Sequence, residues 1–354
     1  MKLLKILSIL LLMSSSIVFA DDFSTQSYLV TTSNPQLENK ILSQSRFIRR
    51  GRALVVYPQK DFSPELRQYL RPVELNQVKS YFPQPSAIAK DLTPINQLLS
   101  KLSASQLENN LKSIVSVSSR SWKSVGNNQT IDWLMAQFSQ YGLAPQKECL
   151  QGICNVVAVK KGFIPNETVL VVAHFDSVGK AFAGADDNGS GAAGLLLLAQ
   201  TLAAENLQRT VLFLAANAEE NGMLGTYAYV RNLQQLGTLG QIKQVLNLDC
   251  IAYNQDGQNI MELETNAPFE AQAKQMANLA LQYTKLHPKI TIPAWGSDHV
   301  PFLENNIPAV LSIEDWENKN PCYHQACDKL DKIDWDFAME ILKLNLATIV
   351  TWAN

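Results

Sequence analysis

The sequence predicts an α/β fold: a three-layer sandwich in which a mostly parallel, mixed sheet is covered by helices on both faces. Apolar runs such as ETVLVVA, RTVLFLAA and QVLNL are continuous rather than alternating, as in strands whose two sides are both buried. Amphipathic stretches of helical spacing lie between them, and strand–helix alternation is the pattern of a parallel sheet with crossover helices. Histidines and carboxylates gather where the apolar runs end, as expected for an enzyme site at the carboxyl edge of such a sheet.

In chain order, residues 1–20 read as a secretory signal. Lys2 and Lys5 open it, an apolar run from Ile6 to Phe19 follows, and Val18-Phe19-Ala20 offers a cleavage site before Asp21. The run is shorter than the ~20 residues of a membrane-spanning helix, so no membrane association is expected once the signal is removed. Residues 21–84 read as a propeptide or accessory segment, with the strand RALVVYP and the basic cluster Arg46, Arg49, Arg50 and Arg52. That cluster is either a processing site or a solvated charged face. A Pro-containing stretch from Tyr81 to Pro94 marks the boundary.

Residues 85–354 are expected to form the α/β domain. SASQLENNLKSIVSV and NQTIDWLMAQFSQYG read as helices, the second stopping near Gly142, and NVVAVKKG and ETVLVVAHFDS as strands. A helix AAGLLLLAQTLAAE, a strand RTVLFLAANAEE and a helix GMLGTYAYVRNL follow. QVLNLDC and PAVLSIEDW read as strands, EAQAKQMANLALQYTKL and DWDFAMEILKLNLATIVTWA as helices.

With 354 residues and 46% hydrophobic content, the chain can bury a large core. A net charge of −2 argues against nucleic acid or an anionic membrane as partner. Five cysteines in an exported chain favour disulfides. Cys149 with Cys154, and Cys322 with Cys327, each close a short loop and are expected to pair, leaving Cys250 as a buried free thiol. Neither pair has the two-residue gap usual in a structural zinc site.

His174 and Asp176 stand two apart at the end of a strand, on one face. Asp187 lies in the Gly-rich turn GADDNGSG; Glu219 and Glu220 follow one strand, Asp249 another, and His324 lies beyond PAVLSIEDW. In a parallel sheet these strand ends converge. Two histidines and three carboxylates suit two divalent metals, with one carboxylate bridging; two zinc ions ~3.5–4 Å apart can share a water and lower its pKa. Glu219, beside the ligand Glu220, is the candidate general base. Asp176 is expected to orient the His174 ring rather than to ligate. Spacing leaves open whether His299 or His324 is the second histidine ligand, and Asp298 is equally ambiguous; His287 reads as an ordinary surface residue. Cys250, Leu311, Ile313, Trp316 and Tyr323 are candidates for an apolar substrate pocket.

The ordered pieces AHFDS, GADDNGSG, NAEENGMLGTYAYV, LNLDC, GSDHVPF and NPCYHQACDKLD resemble the co-catalytic zinc aminopeptidase family typified by secreted bacterial leucyl aminopeptidases. The resemblance implies His174 and Asp249 on one Zn²⁺, Glu220 and His324 on the other, Asp187 bridging, and Glu219 as base. It leaves Asp298 and His299 as support near the site, places a cis peptide at Asp187-Asn188, and has the Cys322–Cys327 pair brace the His324 loop. IPAWGSDH departs from relatives with a cysteine pair and tyrosine there, so the aromatic part of the pocket must differ. The resemblance implies hydrolysis of N-terminal residues from peptide substrates and agrees with an inhibitory prosegment; a leucine-like residue as substrate, a monomer and an activating protease for the prosegment are further expectations. A carboxypeptidase-like or glutaminyl-cyclase-like relative, or an inactive binding ectodomain, is the alternative; cobalt or manganese could take the place of zinc.

Overall fold

The computed structural model describes residues 26–31, 35–50, 52–59, 61–85, 93–117, 119–179 and 182–354; the expected signal segment lies outside them. Among the described residues thirteen strands follow in chain order: β1 Ser27–Val30, β2 Ser45–Arg50, β3 Ala53–Pro58, β4 Leu70–Val73, β5 Lys79–Tyr81, β6 Gln146–Leu150, β7 Ile153–Lys160, β8 Ile164–His174, β9 Arg209–Ala216, β10 Ile242–Leu248, β11 Ile260–Glu264, β12 His287–Ile292 and β13 Ala309–Glu314. Nine of them form one sheet in the order β5-β12-β11-β13-β10-β8-β9-β7-β6. The central run β9-β8-β10-β13 is parallel throughout. Antiparallel pairings begin at β7 on one side and β11 on the other.

Period-two geometry distributes β8 between two cores. Val169, Val171 and Ala173 face the helices Ala104–Ile114, Val125–Gln140, Gly191–Leu202, Glu270–Tyr283 and Trp335–Ala353. Leu170 and Val172 face the helices Leu224–Gln235 and Val300–Leu303. Both layers are dry: Leu170, Val171, Val172 and Ala173 have no exposed surface. That is why these strands read as unbroken apolar runs.

The N-terminal residues form a separate four-stranded antiparallel sheet, β2-β3-β1-β4. One face packs Val30, Leu54 and Val56 with Ile41 of the helix Pro35–Leu42. The other packs Leu29, Val55 and Val73, and Trp295 of the large domain lies against it. β5, within residues 21–84, pairs with β12 as the edge of the nine-stranded sheet. The boundary expected at residue 84 therefore falls after a strand already joined to that sheet.

Both expected disulfides form, Cys149–Cys154 across the β6–β7 hairpin and Cys322–Cys327 beyond β13; Cys250 is free and buried. Among the described residues no helix is long and apolar enough to cross a membrane.

Candidate metal centre

The parallel strands open onto one rim. β8 ends at His174, β9 runs on through Asn217 and Ala218 to Glu219 and Glu220, and β10 is followed by Asp249. The acidic turn Ala185–Ser190 precedes the helix Gly191–Leu202, and the loop after β13 carries His324.

His174 Nε2 lies 3.5 Å from Asp249 Oδ1 and 3.6 Å from Asp187 Oδ1. His324 Nε2 lies 3.0 Å from both Asp187 Oδ2 and Glu220 Oε2. Asp187 thus turns one oxygen toward each histidine. Glu219 Oε2 faces the same space, 3.9 Å from His174 Nε2. His299 lies elsewhere, with Nε2 3.3 Å from Glu264. Asp298 accepts a hydrogen bond from the Thr226 hydroxyl at 2.5 Å, and His287 opens β12 with an exposed side chain.

Several residues hold these groups in place. Asp176 lies 3.5 Å from His174 Nδ1 through its carboxylate, while its carbonyl oxygen is nearer at 3.2 Å. The same carboxylate accepts the backbone N–H groups of Glu219 at 3.0 Å and Glu220 at 3.2 Å, tying the β9 turn to β8. Ser297 donates its hydroxyl to Asp249 Oδ2 at 2.6 Å. Asp328 accepts the backbone N–H groups of Asp186 and Asp187, both at 3.0 Å. Asn188 bonds Leu248 and Gly191, and the Asp187-Asn188 peptide is cis. Arg120, fully buried, donates to the carbonyls of Phe175, Ala183 and Gly184, joining the end of β8 to the acidic turn.

Strain also concentrates here. Nine non-glycine residues among those described have positive φ, and Ala218, Met223, Cys250, Ser297 and His324 of these lie at the rim. Such conformations persist only where surrounding structure enforces them.

The electrostatics match a site made for cations. Burial raises the carboxyls of Glu219 and Glu220, with neighbouring acids adding to it: Glu219 stands well above its usual range and Glu220 at about 7. Burial alone would depress His174, but Asp249 and Asp176 lift it well above its ordinary value. His324 is likewise pushed down by burial, yet Glu220 and Asp187 hold it at about 11. Buried Asp187 Oδ2, Glu220 Oε1 and Asp249 Oδ1 have no hydrogen-bond partner. Orphaned buried acceptors are costly unless something electropositive satisfies them. Imidazole and carboxylate donors within 4.8 Å of one another, as in His174, Asp187 and Glu220, suit a borderline divalent ion such as zinc. The residues therefore fit a bound divalent cation, with Asp187 turned toward both histidines.

A cavity of about 370 Å³ opens beside these groups. Asp187, Glu219, Glu220, Asp249, Tyr227 and Tyr323 line one part of it, and Thr31, Arg52, Gln68 and Arg71 of the N-terminal sheet line the other. Of the five pocket candidates, Tyr323 reaches the cavity, whereas Cys250, Leu311, Ile313 and Trp316 form a buried cluster behind it.

Comparison with known proteins follows the same lines. The model of Peptidase family M28 matches residues 155–349, more than half of the chain. Aminopeptidase Y of Saccharomyces cerevisiae is 30% identical over 211 residues, covering 56% of this chain but only 39% of its own length. A probable leucine aminopeptidase of Trichophyton verrucosum is 27% identical over 274 residues, 71% of this chain and 74% of that protein. The solved structure of the Legionella pneumophila LapA aminopeptidase aligns with a TM-score of 0.70 at 19% identity, over 94% of this chain and 99% of that one. Porphyromonas gingivalis glutaminyl cyclase aligns with a TM-score of 0.59 at 21% identity, over 70% and 98%. At these identities both structures share the fold, and the fold alone does not separate a peptidase from a cyclase.

Proposed function

The chain belongs to peptidase family M28, and from that premise we propose that it is a metallo-aminopeptidase removing N-terminal residues from peptides. The observation that carries this reading is the shared carboxylate of Asp187, one oxygen toward His174 and the other toward His324. Asp249 and His174 would hold one zinc ion, Glu220 and His324 the other. Bound there, the ions supply an acidified water and polarise the scissile carbonyl.

Glu219 takes the proton from the attacking water and delivers it to the leaving amine. Its carboxylate is free for this task because Asp176 holds its backbone N–H, and that of Glu220, from behind. The N-terminal sheet, which lines the cavity beside the metal ligands, acts as a prosegment limiting access in an exported precursor. The named leucine aminopeptidase relative supports release of a residue from the N-terminus of a peptide.

Replacing Glu219 with Gln tests the reading. Release of the N-terminal residue from a peptide amide should fall about 10²- to 10⁴-fold, while elemental analysis still finds metal bound. Undiminished turnover removes Glu219 as the base. Ring closure of a glutaminyl peptide, with no amine released from other peptides, replaces the peptidase by a cyclase; metal binding without turnover of any peptide replaces it by a binding ectodomain.

A further inference from the structure

The geometry points to a substrate class: we propose that the side pocket now filled by Arg52 binds a cationic N-terminal side chain, arginine or lysine, selected by Trp295, Trp316 and Glu264. The proposal deepens the aminopeptidase reading and rests on it.

Arg52 directly precedes β3 of the N-terminal sheet, but its surroundings belong to the large domain. It is 3% exposed. Its guanidinium carbon lies 4.9 Å from the centre of the Trp295 ring and 4.8 Å from that of Trp316. Its Nη1 is 3.8 Å from Glu264 Oε1. Aromatic faces and a buried carboxylate together make a receptor for a guanidinium or ammonium group.

The pocket is not tailored to Arg52. Its Nε and Nη1 make no hydrogen bond, and Glu264 Oε2 is equally unpartnered although Glu264 has no exposed surface. The other oxygen of Glu264 accepts the Trp295 backbone N–H at 2.7 Å and lies near His299. The remaining oxygen of this buried carboxylate is costly to leave unpartnered, and a cation that donates to it removes that cost.

The position is right for the residue that precedes the scissile bond. Trp295 stands two residues before Ser297, which bonds the metal-ligand candidate Asp249. Trp316 meets Tyr323 edge-on at 4.9 Å, and Tyr323 stacks on His324 at 3.8 Å. The two indoles therefore connect to both halves of the metal centre. Lys319 also lies over Trp316, at 4.2 Å, and a bound cation must share that ring with it; Glu264 is the carboxylate that faces the cation.

The test uses the full-length chain carrying Arg52→Ala to vacate the pocket and Glu219→Gln to prevent turnover. Calorimetry measures binding of L-argininamide, L-lysinamide and L-leucinamide. Argininamide should bind at least tenfold more tightly than leucinamide, and adding Glu264→Gln should abolish that preference. Equal or tighter binding of leucinamide overturns the proposal, as does a preference that Glu264→Gln leaves intact. Arg52→Gln, which keeps part of the stem and loses the charge, replaces Arg52→Ala if the latter fails to fold by circular dichroism. Turnover of arginine and leucine 4-nitroanilides by the Arg52→Ala chain with Glu219 intact is read separately. Hydrolysis of neither, with argininamide still preferred in binding, strikes the aminopeptidase reading and leaves the pocket standing; hydrolysis with leucine favoured sinks the pocket.

Discussion

The His174 half of the centre is built on the sheet, whereas the His324 half is built on a loop. His174 is the last residue of a strand with parallel neighbours on both sides, and its side chain is 1% exposed. His324 has φ of +59° in an irregular segment, and its side chain is 14% exposed. The ladder of backbone hydrogen bonds fixes the first half, and Asp176 and Ser297 only trim side chains that it already places. The second needs a disulfide across Cys322 and Cys327, ring stacking by Tyr323, and Asp328 reaching from the loop to the acidic turn. A site assembled from distant segments is only as ordered as its least supported member.

Asp187 joins the halves, so changing it has the largest effect. On the proposed assignment, Asp187→Ala removes an oxygen from each cation site at once. Metal content should drop below one ion per chain, and peptide turnover should fall by at least about 10³-fold, the scale of losing a cation's charge stabilisation in the transition state. Retention of two ions by that variant, measured by elemental analysis, would break the idea that the halves share a ligand.

Removing metal sharpens the comparison through pH. In the metal-free protein His324 is held at about 11 against an ordinary 6.5. Its contribution to stability is complete below about pH 6.5 and is lost as pH rises toward 11. Glu220 and Asp298, each near 7, and Asp328, near 8, act in the same sense: burial raises them first, and their contribution drains away as pH climbs from the ordinary carboxylate range to those values. Asp249 works the other way. Burial opposes its ionisation, but His174 and Arg52 hold it below its usual value, so its contribution is lost only in acid. The chelated protein should therefore lose roughly 5 °C of Tm between pH 6 and pH 9. The metal-loaded protein should hold or gain over the same interval, because protons compete with the ions for the imidazoles. Parallel melting curves with and without chelator would remove this account. His324→Ala should flatten the chelated slope at its alkaline end and leave the share of His174, which is also raised.

The sheet half was legible in the sequence for the reason that makes it rigid. ETVLVVA and RTVLFLAA are apolar because both faces are covered, and their polar successors stand out at the ends. β11 hides by the same logic reversed: IMELE carries Glu262 and Glu264 into the core, each facing a cation, Lys289 and Arg52 respectively. No periodicity announces a buried strand with two charges in five residues. Arg120, Asn188 and Asp328 were equally invisible as supports, since each acts through backbone groups far away in sequence. Asp328 left a faint signal, an acid directly after Cys327 in the loop of His324. Strand direction was the other gap: short apolar runs carry no polarity, so the antiparallel turnover at β7 and β11 emerges only from the pairing.

The two disulfides make the smallest and cleanest test of the contrast. Each closes a loop with a sequence separation of 5, so chain entropy assigns both about 2 kcal/mol. Cys149 and Cys154 already face each other across the β6–β7 ladder, where backbone pairing maintains the turn without them. Cys322 and Cys327 flank His324 where no ladder exists. Replacing the first pair by serine should lower the denaturation midpoint and leave metal affinity alone. Replacing the second should weaken retention of one ion about 10- to 100-fold, the usual result of losing a group that orients a ligand, with a comparable loss of stability. A metal-binding isotherm read beside a denaturant melt separates the two effects. Equal loss of metal from both variants would mean that the disulfides act only through global stability, and that the loop half is no more dependent on bracing than the sheet half.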